Sequence, residues 1–194
     1  MIHKKDMTGI ILAGGKSSRM GTDKGLLNLN GKCFIEYSIA AMKPLVSQIL
    51  LVSNNTDYDM FNLKRVEDLI KEAGPLAGLY SGLKASKTEY NLVLSSDIPL
   101  IKTEILKKLI NEFEEPFDVV QAMSKNKSMP LIALYRKRCE KVFYDLLKNN
   151  ERRLQVAVSQ CKVKNIVLNP SLELFVTNIN TPEDLEKMVY ENKD

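Results

Sequence analysis

The chain has 194 residues, of which 44% are apolar, and this size suffices for one hydrophobic core. Its 28 basic and 24 acidic residues are interspersed and leave a net charge of +4, which argues against a nucleic-acid-binding protein. A single histidine, His3, and three cysteines without paired spacing argue against histidine catalysis, a zinc site and a disulfide framework. We expect one globular domain over residues 1–194.

The start of the chain is charged and leads directly into a short apolar segment, without the apolar core of a signal peptide. No apolar run approaches about 18 residues, the length that a membrane-spanning helix needs. We therefore expect a soluble, cytoplasmic protein that contacts neither a membrane nor nucleic acid.

Short apolar segments alternate with longer amphipathic ones, which is the rhythm of an α/β protein. The predicted strands are Thr8–Leu12, Gln48–Ser53, Lys64–Val66, Asn91–Ser95, Val119–Ala122, Leu131–Tyr135 and Ile166–Leu168. The predicted helices are Phe34–Met42, one opening at Gly74-Pro75, Thr103–Phe113 with Thr103 as its cap, Arg136–Lys148, and a last one that begins at Thr181. Asn30-Gly31 predicts a tight turn.

Strands separated by helices predict parallel βαβ units. The expected fold class is therefore α/β, with three layers and a mostly parallel sheet covered by helices on both faces. Ligands of such sheets bind at the carboxyl ends of the strands, so residues directly after the strands are the candidates for function.

A glycine-rich segment directly follows the first predicted strand. Gly14 and Gly15 let the backbone approach a ligand, and successive N–H groups can cradle phosphate oxygens. Arg19 and Lys24 add positive charge. The segment therefore predicts a phosphate-binding loop, and an ordinary glycine turn with solvated cations is the alternative.

Two familiar phosphate motifs do not fit this loop. A Walker A loop needs a glycine five residues before Gly15, where the chain has Ile10 inside a predicted strand. The dinucleotide fingerprint needs Gly-x-Gly-x-x-Gly, and the spacing from Gly14-Gly15 to Gly21 is wrong for it. A P-loop and a classical dinucleotide site are both disfavoured.

A carboxylate lies at the end of another predicted strand, where Ser95-Ser96 is followed by Asp97. A hard oxygen ligand in this place is suited to Mg²⁺ bound against nucleotide phosphates. The alternative is an aspartate that merely caps the following turn. Together with the phosphate loop, Asp97 indicates a Mg²⁺-dependent nucleotidyltransferase.

Two further groups of residues are candidates. Asp68 follows a short strand and precedes Gly74 to Gly78, which places backbone N–H groups near the same edge of the sheet. Arg152 and Arg153 lie at the start of a predicted helix and either bind an anionic substrate or form a solvated surface.

These motifs resemble the molybdenum cofactor guanylyltransferases, members of the nucleotidyltransferase superfamily, over nearly the whole chain. The most specific match is Leu12 to Gly21 with Asp23-Lys24 and Leu26-Leu27 beyond it. The other matching positions are Asp68 with Gly74 to Gly78, Pro130 with Ala133-Leu134, Glu151-Arg152-Arg153 and Asn178 to Leu185. The sequence Ala-Gly-Gly at residues 13–15 favours guanylyl over cytidylyl transfer, because related cytidylyltransferases commonly have Ala-Ala-Gly there. The resemblance implies a Rossmann-like nucleotidyltransferase fold.

The resemblance also implies roles for individual residues. The implied GTP contacts are Leu12, Ala13, Gly14, Lys24, Asp68, Asp97 and one of the adjacent Asn54 and Asn55. Asp97 would also bind Mg²⁺, and the implied contacts with the pterin are Arg152, Arg153, Asn178 and Asn180. Many family members carry cysteine where this chain has Ser96, a departure expected to matter little because the carboxylate of Asp97 is retained.

The implied reaction transfers GMP from GTP to molybdopterin, releases pyrophosphate and forms molybdopterin guanine dinucleotide. Lys24, Arg19 and Asp97 are the expected catalytic residues, with Arg19 on the leaving pyrophosphate. Transient contacts with other cofactor-biosynthesis proteins or with acceptor enzymes are expected from the family alone. The alternatives are a cytidylyl- or sugar-phosphate nucleotidyltransferase on the same fold, and a non-catalytic protein that binds GTP or molybdopterin.

Overall fold

The computed structural model of the chain describes residues 2–14, 23–179 and 184. Its strands are β1 Met7–Leu12, β2 Asn28–Leu29, β3 Lys32–Cys33, β4 Gln48–Val52, β5 Lys64–Val66, β6 Tyr90–Ser95, β7 Val119–Ser124, β8 Lys127–Arg136 and β9 Val163–Val167. Its α-helices are α1 Phe34–Met42, α2 Gly74–Ala85, α3 Thr103–Asn111, α4 Cys139–Lys148 and α5 Leu154–Ser159. None of the helices in these ranges is both long and apolar enough to cross a bilayer. The helix predicted from Thr181 lies outside the described residues, apart from Asp184.

The described strands form one seven-stranded sheet in the order β5-β4-β1-β6-β8-β7-β9, and a separate hairpin of β2 and β3. Strands β5, β4, β1 and β6 run parallel, as does the β7–β9 pair, whereas β8 is antiparallel to both of its neighbours. The predicted mostly parallel sheet is confirmed. The predicted turn at Asn30-Gly31 is also confirmed, because both residues have positive φ and join β2 to β3.

Strand β8 is antiparallel because a two-residue turn, not a helix, connects it to β7. Lys125 and Asn126 in this turn have φ values of 49° and 58°, as the common hairpin turn with two left-handed residues requires. The pairing shifts between Gln121 and Ala122, and Pro130, which has no N–H to donate, lies within this irregularity. The prediction from residue 131 therefore found only the regular end of the strand.

Successive side chains along the strands point to opposite faces of the sheet, and each face has its own hydrophobic core. In β1, Ile11 packs with the residues of α1 and α3, whereas Ile10 packs with those of α2, α4 and α5. In β6, Leu94 and Val93 make the same division. Strands buried on both faces need helices on both faces, and the predicted three-layer arrangement is confirmed.

Two predictions about helix ends were wrong. Helix α3 is preceded by Lys102, and Thr103 is its first residue, whose hydroxyl donates to the Ala41 carbonyl at 2.9 Å instead of capping its own helix. Helix α4 begins at Cys139 rather than Arg136, because β8 continues through Arg136. Helix α2 begins at Gly74, as predicted.

Helix α2 lies so close to β1 that Gly82 cannot carry a side chain without displacing its neighbours. A Cβ atom there would stand 2.6 Å from Ile10 Cγ2 and 3.1 Å from Val52 Cγ2. We expect Gly82→Ala to lower the free energy of unfolding by about 1–3 kcal/mol, because the branched side chains cannot turn away. Urea denaturation measures this loss. The control, Lys84→Ala, changes an exposed position of the same helix and should stay within about 0.5 kcal/mol of wild type. Equal effects of the two substitutions would contradict the prediction.

Candidate functional site

The carboxyl ends of three parallel strands are joined by hydrogen bonds one residue beyond the strands themselves. The amide of Ala13, after β1, donates to the Val52 carbonyl at 2.9 Å, and the amide of Ser96, after β6, donates to the Leu12 carbonyl at 3.0 Å. The loops that follow β1, β4 and β6 therefore start side by side. Because the Ala13 amide is engaged in the sheet, the predicted cradle of N–H groups begins no earlier than Gly14.

The phosphate loop leaves the sheet at Gly14 and returns to the same place at Asp23. Gly14 has a φ of 108°, a conformation that favours glycine, and a Cβ there would lie 3.6 Å from Asp23 Oδ2. The chain then enters a short 3-10 helix, Lys24–Leu26, which Asp23 caps by accepting a hydrogen bond from the Gly25 amide at 3.2 Å. Gly15 and Arg19 lie outside the described residues.

Asp97 follows β6 at this edge and is half-buried. Its Oδ1 accepts a hydrogen bond from the Ser95 hydroxyl at 2.6 Å, and its Oδ2 accepts one from the Asn178 side-chain amide at 3.4 Å. The Asp97 carbonyl also accepts from the Ile179 amide at 2.9 Å. Residues that are 81 positions apart in the chain thus meet at one carboxylate.

The donor set at Asp97 fits Mg²⁺. A carboxylate oxygen keeps a second lone pair when it accepts one hydrogen bond, and both oxygens of Asp97 are hard ligands. Among the described residues there is no group of three or more histidine, cysteine or carboxylate side chains that could enclose a metal. A Mg²⁺ ion at Asp97 would therefore need substrate phosphates and water as its other ligands.

Asn54 and Asp68 form a reciprocal pair at the neighbouring strand ends. The Asn54 side-chain amide donates to Asp68 Oδ2 and its carbonyl oxygen accepts from the Asp68 amide, both at 3.0 Å. Burial raises the pKa of Asp68 above its ordinary value, and the bond from Asn54 opposes that rise. Asn55, by contrast, caps the 3-10 helix Thr56–Phe61 by accepting from the Asp57 amide at 2.9 Å. The two adjacent asparagines therefore have different tasks.

The residues predicted for the second substrate fall in two places. Arg153 and Asn178 line a pocket of about 860 Å³, together with Ile98, residues 126–132 and residues 154–156. The Arg152 guanidinium instead donates to the carbonyls of Leu147 at 2.9 Å and Glu151 at 3.3 Å, at the carboxyl end of α4, and does not line this pocket. Asn180 lies outside the described residues.

Sequence reasoning missed two parts of the site. Ser95 was read only as the end of a strand, although its hydroxyl bonds Asp97 two residues later, a spacing that a Ser-x-Asp pattern can indicate. The second is the turn between β7 and β8, which forms a wall of the pocket. The sequence analysis did not recognise this hairpin and so could not place it beside the pocket.

The sequence model of a protein family, the MobA-like NTP transferase domain, matches residues 9–163 of the chain. The chain belongs to the MobA-like NTP transferase family. A protein of Flavobacterium johnsoniae named probable molybdenum cofactor guanylyltransferase is 36% identical over 182 residues, which are 94% of this chain and 96% of that protein. A molybdenum cofactor guanylyltransferase of Vibrio campbellii is 31% identical over 188 residues, 95% of this chain and 96% of its own.

A solved structure agrees in fold. The molybdopterin-guanine dinucleotide biosynthesis protein A of Archaeoglobus fulgidus superposes with a TM-score of 0.80 at 23% sequence identity, over 95% of this chain and 97% of that one. The chain therefore has the nucleotidyltransferase fold that its sequence predicts, and the family establishes it as a nucleotidyltransferase.

The Asn54–Asp68 pair yields a prediction about pH. Asn54→Ala removes a hydrogen bond that favours the charged carboxylate, so we expect the pKa of Asp68 to rise further and Asp68 to take up its proton at a higher pH. Titration of the Asp68 carboxyl carbon by NMR measures this change. The matched control is Asn55→Ala, which removes a helix cap but no contact with Asp68, and an equal rise in that variant would contradict the assignment.

Proposed function

We propose that the protein transfers GMP from GTP to molybdopterin, with release of pyrophosphate and formation of molybdopterin guanine dinucleotide. The observation that carries the proposal is the hydrogen bond between Asp97 and Asn178, which joins the candidate metal ligand after β6 to a wall of the pocket proposed for the second substrate. A nucleotide at the carboxyl ends of β1, β4 and β6 would meet an acceptor in that pocket at Asp97. The names of the relatives support this pair of substrates.

On the nucleotide side, we propose that GTP contacts Leu12, Ala13, Gly14, Lys24, Asn54, Asp68 and Asp97. The reciprocal bonds between Asn54 and Asp68 favour Asn54 over Asn55 as the asparagine at the nucleoside, because Asn55 is occupied as a helix cap. Gly15 at the phosphates and Arg19 at the leaving pyrophosphate complete the proposal, although both lie outside the described residues.

The proposed cofactor is Mg²⁺ at Asp97, where it would neutralise the charge that develops on the leaving pyrophosphate. The chain's own residues orient this carboxylate. The Ser95 hydroxyl holds Oδ1 and the Asn178 amide holds Oδ2, so Asp97 does not have to reorganise during the reaction.

In the proposed reaction the terminal phosphate of molybdopterin attacks the α-phosphorus of GTP. The new bond joins an oxygen of that phosphate to the α-phosphorus, the bond between the α-phosphorus and the bridging oxygen of the β-phosphate breaks, and pyrophosphate leaves with the electron pair. A phosphate dianion is already a nucleophile, so no general base is required. The protein's tasks are alignment of the two substrates and stabilisation of charge, with Lys24 as the cation next to the returning end of the phosphate loop.

On the acceptor side, we propose that Arg153 and Asn178 contact molybdopterin in the pocket. Asn180 has the same proposed role, and Arg152 keeps it as a prediction although its guanidinium is engaged at the end of α4. We also propose a cytoplasmic location and transient contact with other proteins of cofactor biosynthesis or with acceptor enzymes.

The first test is the choice of nucleotide. We expect isothermal titration of the protein with GTP, CTP, ATP and UTP in the presence of Mg²⁺ to give the tightest binding for GTP. A clear preference for CTP would rule out guanylyl transfer and favour a cytidylyltransferase on the same fold.

The second test concerns the metal ligand. Asp97→Asn keeps the size of the side chain but removes its charge, and we expect release of pyrophosphate from GTP and molybdopterin to fall by about 100-fold or more. Chelation of Mg²⁺ with EDTA should abolish the same activity. The control is Glu104→Gln, which neutralises an exposed carboxylate on α3 and should leave the rate unchanged. No release by the wild type with any divalent metal would indicate a binding protein instead.

The third test compares the two neighbouring arginines. We expect Arg153→Ala to raise the KM for molybdopterin about tenfold, because a charge-assisted contact with the substrate phosphate is lost, while the KM for GTP stays unchanged. Arg152→Ala should instead lower the melting temperature, because the Arg152 guanidinium bonds the Leu147 carbonyl in the last turn of α4. Steady-state kinetics with each substrate varied in turn distinguishes the two effects, and a higher KM for GTP in Arg153→Ala would contradict the placement.

A further inference from the structure

A buried tyrosine connects the phosphate loop to a different part of the fold. Tyr58 lies in the 3-10 helix after β4 and is 0% exposed. Its hydroxyl donates to Asp23 Oδ1 at 2.5 Å, and the same oxygen accepts from the Gly25 amide at 3.2 Å. The residues on both sides of Lys24 are therefore fixed by one carboxylate, and that carboxylate is fixed by Tyr58.

The backbone at Gly25 is enclosed by polar groups from two separate elements. A Cβ atom at Gly25 would stand 2.3 Å from the Tyr58 hydroxyl and 2.9 Å from Ser96 Oγ. Ser96 is 4% exposed, and its hydroxyl approaches Gly25 from the side of β6. Ser96 directly precedes Asp97. The segment that carries the proposed metal ligand and the segment that carries Lys24 therefore meet next to Tyr58.

The Tyr58 hydroxyl is held in the protonated form. Burial, together with the neighbouring Asp23 carboxylate, raises the pKa of Tyr58 well above its ordinary value. A neutral hydroxyl can donate to Asp23, whereas a phenolate could not. The Tyr58 hydroxyl is therefore available as the donor to Asp23 at neutral pH.

We propose that Tyr58 is a positioning residue, which acts through Asp23, beside Ser96, to hold Lys24 at a fixed distance from Asp97. The inference rests on the proposed role of Lys24 at the nucleotide phosphates. It assigns to the 3-10 helix after β4 a task beyond packing: this helix aligns the cation of the phosphate loop with the carboxylate after β6. Tyr58 itself touches neither substrate in this arrangement.

The competing explanation is that Tyr58 only fills the core, where its ring lies 6.1 Å from that of Phe61. Tyr58→Phe separates the two explanations, because it keeps the ring and removes only the hydroxyl. A role in packing would leave nucleotide affinity and the effect of Lys24 unchanged. A positioning role makes the effects of Tyr58 and Lys24 depend on each other.

The test is a double-mutant cycle of Tyr58→Phe and Lys24→Ala. Dissociation constants are measured by isothermal titration with Mg²⁺ and whichever of GTP, ATP, CTP and UTP the wild type binds most tightly. We expect Tyr58→Phe to raise the dissociation constant about tenfold when Lys24 is present, and by less than about twofold in the Lys24→Ala background. Equal factors in the two backgrounds would overturn the proposal.

A matched control removes a comparable hydroxyl elsewhere. The Tyr37 hydroxyl donates to the Leu29 carbonyl at 2.6 Å, and Tyr37→Phe should leave nucleotide affinity unchanged. Asp23→Asn retains an oxygen acceptor for Tyr58 and should weaken binding less than Asp23→Ala does. If Tyr58→Phe did not fold, as judged by near-ultraviolet circular dichroism, the cycle of Asp23→Ala with Lys24→Ala would decide by the same criterion.

The choice of nucleotide keeps this test apart from that of the proposed function. The network concerns the phosphate end of the ligand, so a preference for CTP would contradict guanylyl transfer and leave the cycle valid. Binding of none of the four triphosphates by the wild type would overturn both proposals. Additive effects with normal GTP binding would overturn the positioning role alone.

Discussion

Strand β1 is paired on both sides by parallel neighbours, β4 and β6, and packed on both faces by helices. Two strands and two layers of helices therefore fix the position of β1. The hydrogen bonds donated by the Ala13 and Ser96 amides extend the strand pairing by one residue beyond the end of the sheet. The candidate site depends on this arrangement, because flexible loops are precise only where they leave a rigid support. Gly14, Asn54 and Asp97 all follow within two residues of these strand ends.

The two carboxylates of the candidate site are held by neutral hydrogen-bond donors among the described residues. Asp97 and Asp68 are each oriented by a neutral amide, from Asn178 and Asn54 respectively. A neutral partner fixes the direction of a carboxylate without cancelling its charge, which leaves that charge available to a metal ion or a ligand. An arginine in the same place would orient the carboxylate equally well and would neutralise it.

The fold was largely predictable, because its strands are short apolar runs and helix α1 has a clear helical period. Strand β8 was found only in part, since its first half contains Pro130 and pairs irregularly, so that neither the composition nor the alternation is typical of a strand. The candidate residues were found one motif at a time. Their mutual contacts could not be predicted: nothing local in the sequence indicates that Asn178 reaches Asp97, or that Tyr58 reaches Asp23. The departure from cysteine at Ser96 was expected to matter little, and nothing in the sequence indicates that the Ser96 hydroxyl approaches Gly25 beside that of Tyr58.

The direction of the strands divides the sheet into two regions. The parallel strands β5, β4, β1 and β6 end at the residues proposed to bind the nucleotide. The hairpin of β7 and β8 instead supplies a wall of the pocket that Arg153 and Asn178 line. Hairpins tolerate changes in length and sequence at their turns better than βαβ units do, because no crossover helix has to be kept in register. The hairpin is thus the part of this scaffold on which a new acceptor specificity can evolve while the chemistry of nucleotide activation is inherited intact.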